Sequence, residues 1–153
     1  MALVLESPAF RDGGDIPAKY ARDGDNVSPP LLWRDAPGGT RSYLLFVEDP
    51  DAPNGVFRHW AAYDIPADRD SLPENASATE PLRQAQNDFG HNAYDGPQPP
   101  PGHGVHHYHF RLFALDADRL NEGTGSERIE AIMEAAEPHV LGRAELIGTF
   151  EQK

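Results

Sequence analysis

Residues Val105 to Leu115 read Val-His-His-Tyr-His-Phe-Arg-Leu-Phe-Ala-Leu, and the alternation in this stretch decides the fold class. Side chains along a strand point to opposite faces with a period of two. His106, Tyr108, Phe110 and Leu112 therefore share one face, while His107, His109 and Arg111 share the other. Arg41 to Val47 (RSYLLFV) is a second strong strand, rich in aromatic and aliphatic residues. Its unbroken apolar run from Tyr43 to Val47 predicts burial on both faces, and Pro50 and Pro53 forbid its continuation. His59 to Ile65 (HWAAYDI) is a third, ended by Pro66. Shorter candidates are the N-terminal Met1 to Glu6, the segment Leu31-Leu32-Trp33, and a closing strand from Glu145 to Phe150.

Between these strands the chain is punctuated. Its 15 prolines and 14 glycines cluster between short apolar runs, which argues for many turns rather than a helical bundle. Residues 66–104 hold no periodic element and end in the Gly/Pro-rich stretch Gly96 to Gly104. Loops of that length inside a compact domain are functional or disordered. One helix is signalled by a capping box, Thr124 with Glu127 three residues on, followed by Ile129, Ile132, Met133 and Ala136 at helical spacing up to Pro138. The expected fold is mostly β, with one or two peripheral helices, in one domain spanning residues 1–153.

Composition narrows the function. Twenty-five acidic residues against 13 basic ones give a formal charge of -12, which repels nucleic acid and anionic headgroups at long range. Lys19 and Lys153 are the only lysines, beside eleven arginines and fourteen aspartates. Codon bias and adaptation to a salty cytoplasm both account for that balance; a melting temperature that rises with molar salt favours the second. Without cysteine there is no disulfide, zinc-thiolate site or thiolate nucleophile. Met1 to Glu6 lacks the basic and long apolar regions of a signal peptide, and no apolar stretch is long enough to span a bilayer. A cytoplasmic protein without integral membrane association is expected.

Three chemistry-bearing residues lie at strand ends. Asp49 follows the second strand, His59 opens the third, and His106 opens the stretch first quoted. If those strands are neighbours, the three meet at one rim. Each also has a plainer reading: Asp49-Pro50-Asp51-Ala52-Pro53 as a simple turn, His59 as a satisfied strand histidine, His107 and His109 as members of a solvated face. Taken together, a carboxylate beside two imidazoles raises histidine pKa values and can hold positive charge near neutrality. Aimed into a cleft walled by Pro99, Pro100 and Tyr108, the pair suits a phosphate or carboxylate, with Asp49 orienting a ring rather than touching the anion.

These motifs, with Ser7-Pro8-Ala9-Phe10, Val27-Ser28-Pro29-Pro30-Leu31 and Leu141-Gly142-Arg143-Ala144-Glu145-Leu146, make the chain resemble the phosphatidylethanolamine-binding protein family. The nearer match is its bacterial and archaeal Raf kinase inhibitor-like branch. The resemblance implies a large central antiparallel sheet, a smaller sheet, peripheral helices, and an anion pocket accepting phosphate-like groups including a phospholipid headgroup. It carries the pocket onto Asp49, His59, His106 and Tyr108, with Asp51, Ala52, Pro53, Gly96, Pro99 and Pro100 along the rim. The chain departs from the family in three places: His107 stands where the family has arginine, Phe57 where many eukaryotic members have tryptophan, and Gln98 where a small residue or cysteine is common. After Phe150 nothing matches the C-terminal helix of animal members, so kinase regulation is not carried over. A homodimer is compatible with the resemblance.

Three function classes follow. The first is a non-catalytic protein that binds a small anion, with no cofactor. The second is a protease or kinase inhibitor acting through surface loops. The third is an enzyme, a low-activity hydrolase or a metal-dependent one using Asp49, His59 and His106. The third lacks a Gly-x-Ser-x-Gly elbow and a cysteine, so acyl transfer has no evident nucleophile.

Overall fold

The computed structural model describes residues 2–120 and 127–152. In chain order the strands are β1 (Val4–Glu6), β2 (Leu31–Arg34), β3 (Ser42–Asp49), β4 (Phe57–Pro66), β5 (Ser71–Leu72), β6 (Arg83–Gln84), β7 (Val105–Leu115) and β8 (Val140–Glu151). Two short helices, α1 (Ala76–Thr79) and α2 (Ile129–Ala136), accompany them. The strands form two antiparallel sheets: a five-stranded one ordered β6-β4-β3-β7-β8 and a three-stranded one ordered β1-β2-β5. The expected fold class, a large and a small antiparallel sheet with peripheral helices, is the one observed.

The central position of β3 explains its unbroken apolar run. Tyr43, Leu45 and Val47 point into a core shared with Leu5, Trp33 and Leu72 of the small sheet. Leu44 and Phe46 point the other way, into a second core closed by Ile129, Ile132 and Ala136 of α2. With no solvent face, every residue of β3 is buried and polar alternation has no place in it. β7 alternates over its first half because only one face is covered there. His106, Tyr108 and Phe110 are buried, while Val105 and His107 on the opposite face are exposed.

Several boundaries differ from expectation. β3 runs on through Glu48 to Asp49, and β4 starts at Phe57, two residues before His59, because Asp49 and Phe57 pair across the turn. β8 starts at Val140 rather than Glu145, since its pairing with β7 reaches back to Leu115. Residues 66–104 contain β5, α1 and β6, elements of two to four residues that are too short to show a period. α2 begins at Ile129 with Arg128 at its N-cap and no side-chain cap. Gln86 accounts for the late start: its N–H donates to the Glu127 carbonyl at 2.8 Å and its carbonyl accepts the Ile129 N–H at 3.2 Å, holding that stretch extended. The expected cap, Thr124, lies outside the described residues.

Candidate functional site

β3 sits between β4 and β7 and runs antiparallel to both, so its C-terminal end adjoins the N-terminal ends of its neighbours. That topology brings Asp49, His59 and His106 to one rim. All three are buried, at 3%, 4% and 1% exposure.

Asp49 works in two directions. Its Oδ1 accepts the Asp51 backbone N–H at 2.8 Å, closing the turn at Pro50. Its Oδ2 faces His106 Nδ1 at 2.6 Å. Because a carboxylate only accepts, His106 carries its proton on Nδ1. The turn reading and the site reading of Asp49 are thus both satisfied by one side chain.

His59 is held differently. Its Nδ1 donates to the backbone carbonyl of Asp95 at 2.8 Å, which leaves Nε2 as the remaining ring nitrogen. Burial is the dominant influence and pushes the imidazole below its ordinary value. The Asp95 carbonyl and the charges of Asp49, Asp95 and Asp88 pull the other way without overcoming it. This corrects the expectation that the neighbouring carboxylate raises both histidines: for His59 desolvation wins. Tyr108, stacked beside His106, has its phenol pushed well up by burial and by the Asp49 carboxylate.

The cavity these residues face has a volume of about 270 Å³. Asp49, His59, His106 and Tyr108 line it, together with Ala52, Pro53, Pro99 and Pro100. Asp51 and Gly96 do not line it. Asp51 turns outward, and its Oδ2 accepts the His107 backbone N–H and faces His107 Nδ1, both at 2.8 Å. Gly96 is pressed against the chain behind the wall; a Cβ there would lie 1.9 Å from the Tyr20 carbonyl oxygen. Of the three family departures, Phe57 and Gln98 line the cavity and His107 does not.

Residues that sequence reasoning passed over complete the site. Phe89 packs edge-on against Phe57 at 4.7 Å and His59 at 5.6 Å, making an aromatic wall. The Arg22 guanidinium lies 4.1 Å over the Phe89 ring and also bonds Gln98, bracing that wall from outside. Behind His59 lies a buried polar platform. Asp95 accepts from Asn26 at 3.0 Å and Asn87 at 2.8 Å, and faces His91 at 2.7 Å. Asn87 in turn donates to the His59 carbonyl at 3.2 Å. Burial raises the Asp95 carboxyl, but the bonds from Asn26, Asn87 and His91 outweigh it and hold the group below its ordinary value. Finally, the exposed His103 places Nδ1 2.6 Å from His106 Nε2. None of these residues falls in a periodic element, and a polar residue in a Gly/Pro-rich loop gives no sign of being buried.

The site's chemistry is that of two oriented imidazoles in an apolar cavity. Among the described residues no lysine, arginine, serine, threonine or cysteine lines it. Among the described residues no group of three His, Cys, Asp or Glu side chains is arranged to hold a metal ion, and no helix is long and apolar enough to cross a membrane.

Comparison with known proteins identifies the fold and the family. The sequence profile of a family described as phosphatidylethanolamine-binding protein matches residues 6–151. A protein named UPF0098 from Methanothermobacter thermautotrophicus is 45% identical, over 98% of this chain and 99% of its own length. Escherichia coli YbcL, whose crystal structure describes it as a new member of the mammalian PEBP family, superposes with a TM-score of 0.93 at 27% identity, covering 100% of both chains. CT736 of Chlamydia trachomatis, described as a homolog of phosphatidylethanolamine-binding protein, gives 0.89 at 36% identity over 99% of each chain. The chain belongs to the phosphatidylethanolamine-binding protein family.

Proposed function

We propose that this chain is a non-catalytic binding protein whose cavity takes a small oxyanion, the phosphate or carboxylate of a larger ligand. The observation that carries the reading is the locking of two buried imidazoles through their Nδ1 atoms, His106 by Asp49 and His59 by the Asp95 carbonyl. Each ring is thereby fixed in tautomer and direction, and each keeps Nε2 as the atom that donates to an anion when the ring is protonated. Asp49 orients a ring and does not contact the ligand.

Binding then couples to proton uptake, because an oxyanion stabilises the imidazolium form. The lowered His59 makes that coupling stronger, since the free cavity holds this ring neutral. The apolar wall of Phe57, Phe89 and Pro99 strengthens the contact by excluding water, and it suits a ligand whose anionic group carries an apolar or alkyl neighbour. Absence of catalysis is part of the same proposal. Its support is that the hydroxyl at the cavity is that of Tyr108, whose raised pKa makes a poor nucleophile. The ligand is proposed to be met in the cytoplasm, which fractionation of the host cell would check.

The test is isothermal titration calorimetry with inorganic phosphate and with phosphoethanolamine, between about pH 5 and pH 8, the window in which histidine changes charge. Binding of both indicates that the phosphate group suffices; binding of phosphoethanolamine alone indicates a headgroup ligand. Absence of heat for either, at every pH, would sink the proposal.

A further inference from the structure

We propose that His103 is a tethered occupant of the anion position on His106, a gate that the ligand must displace; this rests on the oxyanion reading above. His106 has two ring nitrogens and both are engaged. Nδ1 faces Asp49 Oδ2 at 2.6 Å, and Nε2 faces His103 Nδ1 at 2.6 Å, with the two rings 4.8 Å apart. One proton serves the contact between the imidazoles, whichever ring donates it. The oxygen of an oxyanion that takes the His106 Nε2–H must occupy the place of His103 Nδ1, so it binds there only after His103 Nδ1 has left.

The loop is built to let it leave. His106 is fixed, with its side chain 2% exposed, whereas His103 is exposed and lies in the irregular segment that precedes β7. Gly102 and Gly104 flank it with φ of +75° and +91°, and no described atom lies within 4 Å of where either would carry a Cβ. Two glycines in open space can swing the intervening residue without moving a packed side chain. The loop is meanwhile tied back by the bond from Gly102 N–H to the Gln152 carbonyl at 3.0 Å and by that from His103 N–H to the Pro100 carbonyl at 3.1 Å. The displaced imidazole therefore stays near His106. The contact is an internal competitor held at high effective concentration, and it lowers the affinity of the free protein for every anion alike.

The experiment is phosphate calorimetry on the full chain as wild type, His103→Ala and His103→Asn, with imidazole nitrogen resonances of the wild type followed by NMR. Removing the competitor is expected to tighten phosphate binding roughly two- to tenfold, the range of one net hydrogen bond. His103→Asn, which keeps a polar group near the Nδ1 position, is expected to stay close to wild type. In the wild type, phosphate should move the His103 Nδ1 resonance together with that of His106. Unchanged or weaker binding by His103→Ala overturns the gate and leaves the anion site standing. So does an NMR titration in which phosphate binds while the His103–His106 contact persists, a result that needs no variant. If neither wild type nor His103→Ala binds phosphate, the gate and the oxyanion reading fall together. Binding by His103→Ala where the wild type shows none supports both.

Discussion

Replacing Asp95 by asparagine isolates the platform behind His59. The carboxylate presents an acceptor at each end: Oδ1 takes the Asn26 amide at 3.0 Å, and Oδ2 takes the Asn87 amide at 2.8 Å and faces His91 Nδ1 at 2.7 Å. Asparagine has one oxygen and one NH₂, so one end must set donor against donor. Neither neighbouring amide can turn over to repair this. Asn26 Oδ1 accepts the Gly96 N–H at 2.7 Å, and Asn87 Oδ1 accepts the N–H groups of Phe89 and His91 at 2.9 and 3.0 Å. The loss is one or two hydrogen bonds plus a buried donor left unsatisfied, about 2–4 kcal/mol in total. Urea unfolding followed by tryptophan fluorescence reads it, as a midpoint lower by about 1 M or more at a typical slope. The sign with pH follows from the lowered Asp95 carboxyl. A group whose folded pKa is depressed contributes stability that is fully present above its unfolded value, near about pH 4, and lost as the pH falls through the folded value. The deficit of Asp95→Asn therefore shrinks in acid. A deficit below about 0.5 kcal/mol at neutral pH, within the ordinary range of surface substitutions, would refute the reasoning.

Two further substitutions probe the cavity wall. Gly96→Ala places a methyl 1.9 Å from the Tyr20 carbonyl oxygen, so the wall must part, with a loss of more than about 3 kcal/mol in thermal or urea unfolding. His107→Arg restores the residue the family carries, yet His107 lies outside the cavity and pairs with Asp51. Phosphate affinity should change by less than about twofold, under 0.5 kcal/mol, and a tenfold gain would show that residue 107 reaches the ligand.

How much of this was legible in the sequence depends on how local the cause is. The runs Tyr43–Val47 and Val105–Leu115 declare their strands because a strand buried on two faces and one buried on a single face leave different patterns, and the two cores follow. The convergence of Asp49, His59 and His106 was also legible, since strand ends collect side chains once the strands are neighbours. The platform was not. Asn26 and Asp95 are 69 residues apart and each reads alone as a turn residue; only the folded chain makes their bond and buries it. His59 illustrates the same limit in electrostatics. Its carboxylate neighbour Asp49 is visible in sequence, but the burial that outweighs it comes from Phe57, Phe89 and Tyr108 closing around the ring. His103 was missed because a single histidine between two glycines has no period, and its partner is fixed only by the geometry of the Pro-rich loop.

The central claim is that the cavity recognises an oxyanion through protonated imidazole. The most direct measurement is the affinity of the wild-type protein for sulfate, whose charge is constant between about pH 5 and pH 8, across which histidine titrates. The account predicts binding that weakens as pH rises, by up to about tenfold per pH unit for each proton taken up. If His59 supplies the proton, the decline should begin below the ordinary histidine value, because the free imidazole is lowered, and continue upward to the value raised by the bound anion. Affinity that is flat with pH, or that strengthens toward the alkaline end, would contradict it.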